Sequence, residues 1–438
     1  MTAPPGGTLA RVLSFRDLVL LTLGVVIGSG IFIVPATVLK LTGGALAPAL
    51  AVWVFGGLLS VFGALTYAEL GAMKPDSGGL YTYMRDAFGE GTAFLYGWAL
   101  LLVIASATNA TLAVAFTGYL QQFTPLTPFA AKAVAVLVIA AICALNVFSM
   151  RQSANVQNLA TGIKVGAIVV MGVLLLTMGQ EFGQSAPAGA PEGLSLLTAM
   201  GAAMIGVLWA YEGWQYVTFS AGEAVNPQKD FARAIWLGVA LLMALYLVAN
   251  LAYVAALGVG GAMESKRIAS EAVAAVLGPA AGKLVAAAIL ISMFSAAHAT
   301  VMTAPRVYFS MARDGLFFKK LAEIHPKYGT PAFAIIVSSV WSAVMAATGT
   351  FEELLTYVVF TGWGFYALGA AAIFHYRRKH PDAPRPFRTP GYPLVPILFI
   401  VPSLAIVVNT IVTNPRQALI GAAIVFAGVP AYLFWRKK

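Results

Sequence analysis

The chain has 438 residues, of which 60% are hydrophobic and only 10% are charged, and its mean hydropathy is +0.83. An ordinary soluble domain carries about a quarter charged residues, so this composition excludes a soluble globular enzyme, a disordered chain and a nucleic-acid-binding protein. It predicts an all-α membrane protein with many crossings. At about 20 apolar residues for each helical crossing, the length accommodates about 12 spans.

Apolar runs of spanning length occur along the whole sequence. In chain order the candidate spans are 17–41, 45–71, 91–121, 131–150, 156–178, 197–222, 232–258, 278–313, 331–349, 353–378, 392–413 and 416–435. The run 278–313 exceeds one crossing, so we expect it to tilt or to continue as a helix beyond the bilayer. The hydrophilic stretches 179–196 and 259–277 are too short to be domains, so residues 1–438 are expected to form one membrane domain.

The basic residues predict the orientation of the chain. If both termini are cytoplasmic, all but seven of the 27 lysines and arginines fall on the cytoplasmic side, as the positive-inside rule requires. The exceptions are Lys40, Lys132, Lys164, Lys266, Arg267, Lys283 and Arg416. The net charge of +10 is therefore interpreted as an orientation signal, not as a sign of a nucleic-acid partner. We expect a multi-pass protein of the plasma, or inner, membrane.

The first span contains residues that interrupt a helix in the middle of the membrane. Gly24, Gly28, Ser29 and Gly30 lie there, and Pro35 follows. Each glycine weakens a helix by about 1 kcal/mol relative to alanine. Freed backbone groups are tolerated in lipid only where they line a cavity or meet partners. Glycines alone leave two interpretations open, a discontinuous helix that binds a ligand or a close helix–helix contact.

The sixth span is interrupted in a similar way between Trp209 and Tyr216, where Glu212 and Gly213 stand among large aromatic residues. The two spans are five apart, so the second half of the chain is expected to be inverted relative to the first. Paired interruptions in two inverted halves indicate the central site of a transporter. The predicted repeats cover about 17–178 and about 197–378, and two further helices cover about 392–435.

The backbone of a broken helix suits a zwitterionic ligand. One half-helix exposes amide donors at its start, and the other exposes carbonyl acceptors at its end. The helix dipole favours a carboxylate at the first position and an ammonium at the second. A free amino acid carries both groups, so the backbone can recognise it without a charged side chain.

Several segments together resemble one family of carriers. They are 28–32 (GSGIF), 67–71 (YAELG) followed by 75–81, 155–158 with Lys164, 209–214, 223–227, 304–315 and 385–388. In these residues the chain resembles the amino acid–polyamine–organocation superfamily, and within it the L-amino-acid transporter branch. The resemblance extends from residue 28 to residue 388. It implies a five-plus-five inverted repeat with discontinuous helices 1 and 6, and alternating access around a site between spans 1, 3, 6, 8 and 10.

The resemblance also implies roles for individual residues. Those expected to hold the substrate carboxylate lie at the first break: Gly28, Ser29, Gly30 and Ile31, the last three through their amides. Those expected to hold the ammonium through carbonyls are Val26, Trp209, Ala210 and either Glu212 or Gly213. Trp209 takes the position of the aromatic outer gate. Side-chain selectivity is expected from Ser106, Asn109, Glu212, Gln215, Phe360, Gly362 and Trp363.

Lys164 lies in the middle of the fifth span, where an unpaired charge costs several kcal/mol. A lysine here resembles the family's substitute for a sodium ion, which joins the first span to the eighth and implies sodium-independent transport. It could also carry a proton, or it could snorkel to the interface without a functional role. Its expected partner in the eighth span is Ser292 or Ser295.

Glu212 departs from the small residue that many family members have at this position. Three roles stay open: a counter-ion for a cationic substrate side chain, a protonated acid that couples transport to protons, or a structural hydrogen bond in the broken helix. The predicted function is a sodium-independent amino acid carrier, either an exchanger or a proton-coupled permease. The alternative is a transporter of cationic amino acids or polyamines that uses Glu212 as counter-ion.

Other polar residues are expected to be structural. Glu69 is expected to tie the second span to nearby loops, and His298 to be a satisfied interior histidine. The four histidines and the single cysteine, Cys143, have no metal-ligand spacing, and no metal or cofactor is expected. The sequence contains no motif of a hydrolase or phosphate loop, so an enzyme is not predicted. Segment 121–127 lacks the cysteine that links a heavy chain in some animal relatives, so no disulfide-linked partner is expected.

Overall fold

The structure is a computed structural model that describes residues 11–76, 78–148, 150–180 and 196–436. Its first helices are α1 (Phe15–Val26), α2 (Gly30–Leu41), α3 (Leu46–Met73), α4 (Leu80–Phe88), α5 (Glu90–Ala99), α6 (Ala105–Leu120), α7 (Pro128–Phe148) and α8 (Met150–Met178). The others are α9 (Leu196–Ala210), α10 (Ala232–Glu264), α11 (Ile268–Leu277), α12 (Pro279–Thr303), α13 (Pro305–Arg313), α14 (Ala332–Thr348), α15 (Phe351–Lys379), α16 (Leu394–Thr413) and α17 (Pro415–Arg436). Within these residues the only β pairing is an isolated bridge between Leu13 and Ala224.

The membrane-spanning architecture is as the sequence predicts. Within the described ranges, ten helical runs are long and apolar enough to cross a membrane, and the bent pair of α1 and α2 makes eleven. The apolar helix α14 has 17 residues, the short end of the range of about 17–25 for a crossing helix, and counting it gives twelve. The predicted all-α membrane fold is confirmed. The bounds of the two repeats, and their inverted relation, stay predictions.

Both predicted interruptions are breaks in the helices. Helix α1 ends at Val26 and α2 begins at Gly30, with a bend of 46° between them. In the sixth span α9 ends at Ala210, and after a turn the chain continues as a 3-10 helix, Trp214–Glu223. Gly213 makes this turn with a φ of 120°, a conformation that side-chain-bearing residues rarely adopt. The discontinuous helices 1 and 6 are therefore confirmed.

Other irregularities were not predicted from the sequence. A π-helical turn, Leu100–Ile104, lies between α5 and α6 in the third span. Such a turn contains one extra residue, and the hydrophobic pattern does not indicate it because the surrounding run is uniformly apolar. The stretch 259–277, expected to be a hydrophilic connection, contains the end of α10 and all of α11. The long run 278–313 continues as a helix, as expected, because α13 follows α12. Most of 179–196 lies outside the described residues.

Four helices surround the first break. Helix α1 packs against α8, α10 and α12, and α2 packs against α9 and α10. The residues of α1 from Leu21 to Val26 are all buried. The break therefore lies in the centre of the bundle, enclosed by protein and not by lipid.

A buried carboxylate joins α3 to α15 and to the loop that follows α15. Glu69 has no exposed surface, and its two oxygens accept hydrogen bonds from Arg377 at 2.9 and 2.7 Å. The amide of Thr389 donates to the same carboxylate at 2.7 Å, and Arg385 Nε lies 3.5 Å from it. Such a bidentate guanidinium–carboxylate pair fixes both groups in one geometry. These contacts describe the tie to nearby loops that was expected of Glu69.

We call the end of the bundle where α1 begins the N-terminal end. Charged residues also connect the helix ends there. Asp86 of α4 accepts from Lys74 at 2.5 Å and from Tyr376 at 2.9 Å. Burial alone would raise the pKa of Asp86, but these hydrogen bonds outweigh burial and hold the pKa below its ordinary value. Arg85 pairs with Asp314 at 2.5 Å. Ion pairs therefore join α4 to the ends of α3 and α13, and the hydrogen bond from Tyr376 joins it to α15.

We predict that Glu69→Gln lowers stability by about 2 kcal/mol, because removal of one partner leaves a partly buried guanidinium unpaired. The melting temperature of the purified protein in detergent measures this effect. The control is Glu264→Gln, since Glu264 lies 3.6 Å from Lys40 in an exposed pair whose loss should change nothing measurable. Equal melting temperatures for Glu69→Gln and the wild type would contradict the structural role of Glu69.

Candidate functional site

The two breaks lie directly against each other. A Cβ atom added at Gly30 would overlap Ala210 of α9, and one added at Gly213 would overlap Val25 of α1. Trp209 Nε1 donates a hydrogen bond to Ser29 Oγ at 3.2 Å, and both side chains are buried. Glycine is needed at both positions because the backbones approach more closely than a side chain permits. The first and sixth spans therefore meet at their broken segments.

A small cavity of about 10 Å³ lies between the breaks. Of the residues predicted for the site, it is lined by Val26, Gly28, Ser29, Gly30, Trp209 and Glu212. Thr108 and Leu112 of α6 complete the wall. A volume of this size holds about one water molecule. The cavity is therefore closed in this conformation, and a ligand larger than water can enter only if the lining elements move apart.

The predicted residues of the third span, Ser106 and Asn109, do not line this cavity. Ser106 Oγ donates to the carbonyl of Leu101 at 2.6 Å, inside the π turn. Asn109 is buried, and its Oδ1 atom has no hydrogen-bond partner among the described residues. Thr108 is the side chain of α6 that brings a hydroxyl to the cavity wall. The π turn adds a residue to the helix, which changes the face that the following residues present.

The predicted residues of the tenth span lie in other surroundings. The ring of Trp363 packs edge to face with Tyr366, with ring centroids 6.1 Å apart, and its centroid lies 5.8 Å from that of Phe399. Phe360 lies beside Gly421 of α17. The side chain of this span that reaches the broken segment is Tyr366, which the sequence analysis did not single out.

Lys164 binds backbone carbonyls at the C-terminal end of α1. Its Nζ atom donates to the carbonyls of Gly24 at 2.6 Å and Ile27 at 2.8 Å, and its side chain is 2% exposed. Ser292 Oγ of α12 donates to the same Ile27 carbonyl at 3.0 Å. Helix carbonyls at this end have no partner within the helix, and the dipole favours a cation there. Lys164 and Ser292 therefore join α8 and α12 to the first break.

Ser295, the other candidate partner of Lys164, lies in a separate polar cluster. Its hydroxyl donates to Gln157 Oε1 at 3.2 Å, and Nδ1 of His298 lies 3.4 Å from that oxygen. Asn146 of α7 donates to the His298 carbonyl at 3.4 Å. The cluster joins α7, α8 and α12. In the described part of the chain, no group of three or more His, Cys, Asp or Glu side chains could hold a metal ion.

Tyr246 of α10 connects the two breaks. Its hydroxyl lies 3.0 Å from the carbonyl of Ala210 and 3.4 Å from that of Val26, so it donates to one or the other. These are two of the carbonyls that the resemblance assigns to the substrate ammonium. The ring packs against Trp53 and Tyr211. Nothing in the sequence distinguishes such a tyrosine from one that only packs in an apolar span.

Glu212 is held by one of its two carboxyl oxygens. Oε1 accepts from Tyr366 Oη at 2.6 Å and from Gln215 Nε2 at 2.5 Å, while Gln215 Oε1 accepts from the amide of Gly213 at 3.2 Å. Oε2 is buried, and among the described residues it has no hydrogen-bond partner. The ion pairs in this part of the chain do not include Glu212. The carboxyl group is therefore buried at the cavity without a neighbouring cation.

Comparisons with known proteins agree with this architecture. The family described as amino acid permease matches residues 13–434. The chain is 30% identical to the serine/threonine exchanger SteT of Bacillus subtilis (strain 168), covering 95% of each chain. It is 32% identical to the human cystine/glutamate transporter, covering 99% of this chain and 88% of that one. With the human large neutral amino acids transporter small subunit 2, it shares 33% identity over 95% of this chain and 79% of the other. These proteins are transporters and not enzymes, and the chain belongs to the amino acid permease family.

Proposed function

We propose that this protein is a sodium-independent carrier of L-amino acids that works by alternating access, either as an exchanger or as a proton-coupled permease. The observation that carries the proposal is the meeting of two broken helices at one closed cavity. Backbone donors and acceptors converge there inside the membrane, as a zwitterionic ligand requires. We place the protein in the plasma membrane with both termini in the cytoplasm, in accord with its basic residues.

The start of α2 is the proposed carboxylate site. Ser29 precedes this helix, and its side chain makes no capping hydrogen bond to the first turn. The amides of Ser29, Gly30 and Ile31 are thus available at the positive end of the helix dipole. Gly28 and Gly30 keep the approach free of side chains. A carboxylate bound here would accept the hydrogen bonds that these amides can donate at the uncapped start of α2.

The ends of α1 and α9 are the proposed ammonium site. The carbonyls of Val26, Trp209 and Ala210, with that of Glu212 or Gly213, are acceptors at the negative ends of two helices. Tyr246 already contacts two of them, so it would hold them at a fixed separation until the ammonium arrives. The Tyr246 hydroxyl can donate to only one of these two carbonyls at a time. The substrate ammonium would donate to both of them and so join the two breaks.

Trp209 is the proposed outer gate. Its indole is 4% exposed, binds Ser29 through Nε1, and meets the ring of Phe351 edge-on at 6.3 Å. The ring thus covers the cavity and is tied to both broken spans and to α15. Opening toward the outside would break the bond from Trp209 to Ser29 and release the amides at the start of α2.

Lys164 supports transport without sodium. Its ammonium occupies the carboxyl end of α1, where two carbonyls and the helix dipole would otherwise favour a bound cation. A covalently attached charge needs no ion from solution. We also propose that the protein works without a disulfide-linked partner chain, because its one cysteine, Cys143, lies within the membrane helix α7.

We predict that the purified protein in proteoliposomes takes up radiolabelled neutral L-amino acids, and that replacing sodium by choline leaves the rate unchanged. Preloading the vesicles with unlabelled amino acid should accelerate uptake if exchange is the faster mode. A panel of the twenty amino acids, agmatine and putrescine as competitors identifies the substrate class. Inhibition only by arginine, lysine or the amines would favour the alternative in which Glu212 is the counter-ion of a cationic substrate. Absence of uptake for every member of the panel would contradict the proposal.

We further predict that Lys164→Ala reduces uptake at least about tenfold, because two carbonyls at the first break lose their charge-assisted hydrogen bonds. Initial uptake rates with and without sodium measure the effect, and sodium should not restore transport. The matched control is Lys283→Ala in α12, where the lysine is exposed. Unchanged uptake for Lys164→Ala would contradict the proposed role of this ammonium.

A further inference from the structure

The groups that hydrogen-bond to the Glu212 carboxyl are neutral. Those that hydrogen-bond to it or act on it electrostatically are Tyr366, Gln215, Tyr67, Tyr96 and Tyr216. They come from α15, the 3-10 helix, α3 and α5. No lysine, arginine or histidine of the described residues forms an ion pair with it. In this closed conformation the carboxyl has no partner that could balance a negative charge.

A buried carboxylate without a cation is costly, so the closed and empty protein requires a proton on Glu212. The arrangement of hydrogen bonds indicates which oxygen holds it. Oε1 already accepts from two donors, whereas Oε2 has no partner among the described residues. We therefore place the proton on Oε2.

Glu212 lines the same cavity as Ser29 and Gly30. If an amino acid places its carboxylate on the amides of these residues, its ammonium must lie within the small space that Glu212 also borders. The ammonium is then a positive charge beside the carboxyl group. A cation in contact favours the ionised carboxylate over the protonated form.

We propose that Glu212 exchanges a proton for the ammonium group of the substrate, being protonated when the carrier is empty and ionised when it is loaded. This inference rests on the proposed transport of amino acids. On binding, the O–H bond at Oε2 breaks, its electron pair stays on the carboxylate, and the proton passes to water on the open side. The carboxylate and the substrate ammonium form an ion pair, so the buried charge stays balanced in both forms.

A coupling follows from this charge balance. The loaded carrier crosses with an ionised Glu212, and the empty carrier returns with a proton. Net uptake therefore moves about one proton in the direction opposite to each amino acid, as the linkage between the two ligands requires. Exchange of one amino acid for another moves no proton, because the carrier never returns empty.

In the proposed cycle, the proton reaches Glu212 from the N-terminal end along buried hydroxyls. Tyr96 of α5 and Tyr308 of α13 have buried hydroxyls without partners among the described residues. Tyr216, which is close to both and to Glu212, has a third such hydroxyl. An unsatisfied buried hydroxyl is costly unless water reaches it. These hydroxyls would be hydrated when this end opens, and the water would then supply the proton that Glu212 takes up as the substrate leaves.

The first test measures protons released on binding. The probe is the L-amino acid that raises the melting temperature of the purified protein most, added to the protein in weakly buffered detergent solution at pH 6 with an indicator dye. We expect release of about one proton for each amino acid bound, as linkage predicts. Glu212→Gln should bind about tenfold more weakly, because the ion pair is lost, and should release none. Binding by the wild type without proton release would overturn the exchange at Glu212 but leave amino acid transport standing.

The second test separates the two transport modes in proteoliposomes that contain a pH-sensitive dye. Net uptake into empty vesicles should make the lumen alkaline, whereas uptake into vesicles preloaded with the same amino acid should not change its pH. Acidification during net uptake, or equal pH changes in both modes, would overturn the proposal. Tyr308→Phe should slow net uptake and leave exchange unchanged. The control Tyr253→Phe removes another buried, unpartnered hydroxyl, near Tyr119 and Tyr246, and should change neither mode.

Discussion

The structure depends on one constraint, that backbone groups freed inside a membrane must find partners. The break after α1 frees carbonyls that Lys164 and Ser292 bind from two other helices. The break after α9 frees a carbonyl that Tyr246 binds from a third. The amides at the start of α2 form the proposed carboxylate site. A broken helix is stable here because side chains of neighbouring helices donate hydrogen bonds to its freed carbonyls.

Closure of the site follows from how closely the broken spans approach each other. Gly30 against Ala210 and Gly213 against Val25 leave a cavity of about one water. A ligand larger than water could occupy this space only if these contacts separate. The buried carboxyl of Glu212 also constrains the charge at this cavity. Whatever closes the site must also leave that carboxyl neutral or paired.

The N-terminal end of the bundle is closed by stronger interactions. Arg306 and Glu223, both 1% exposed, form an ion pair of 3.1 Å at the end of the 3-10 helix. The backbone of Leu13 pairs with Glu223 and Val225 just beyond it. These bonds tie the segment before α1 to the second half of the sixth span. Any opening at this end must therefore move the first and sixth spans together.

The sequence by itself determined the all-α membrane fold, the approximate positions of most spans, both broken helices and the isolated charge of Lys164, because apolar run length, glycine and an isolated charge are local signals. It also identified six residues of the cavity wall, all at the breaks. Only the tertiary structure decided that Ser292 shares the Ile27 carbonyl, that Tyr246 and Tyr366 reach the broken segments, and that Thr108 replaces the expected Ser106 and Asn109. These helices are apolar on nearly every face, so their hydrophobic pattern does not fix their rotation. Packing against neighbours fixes it, and packing selects which polar side chain faces the site.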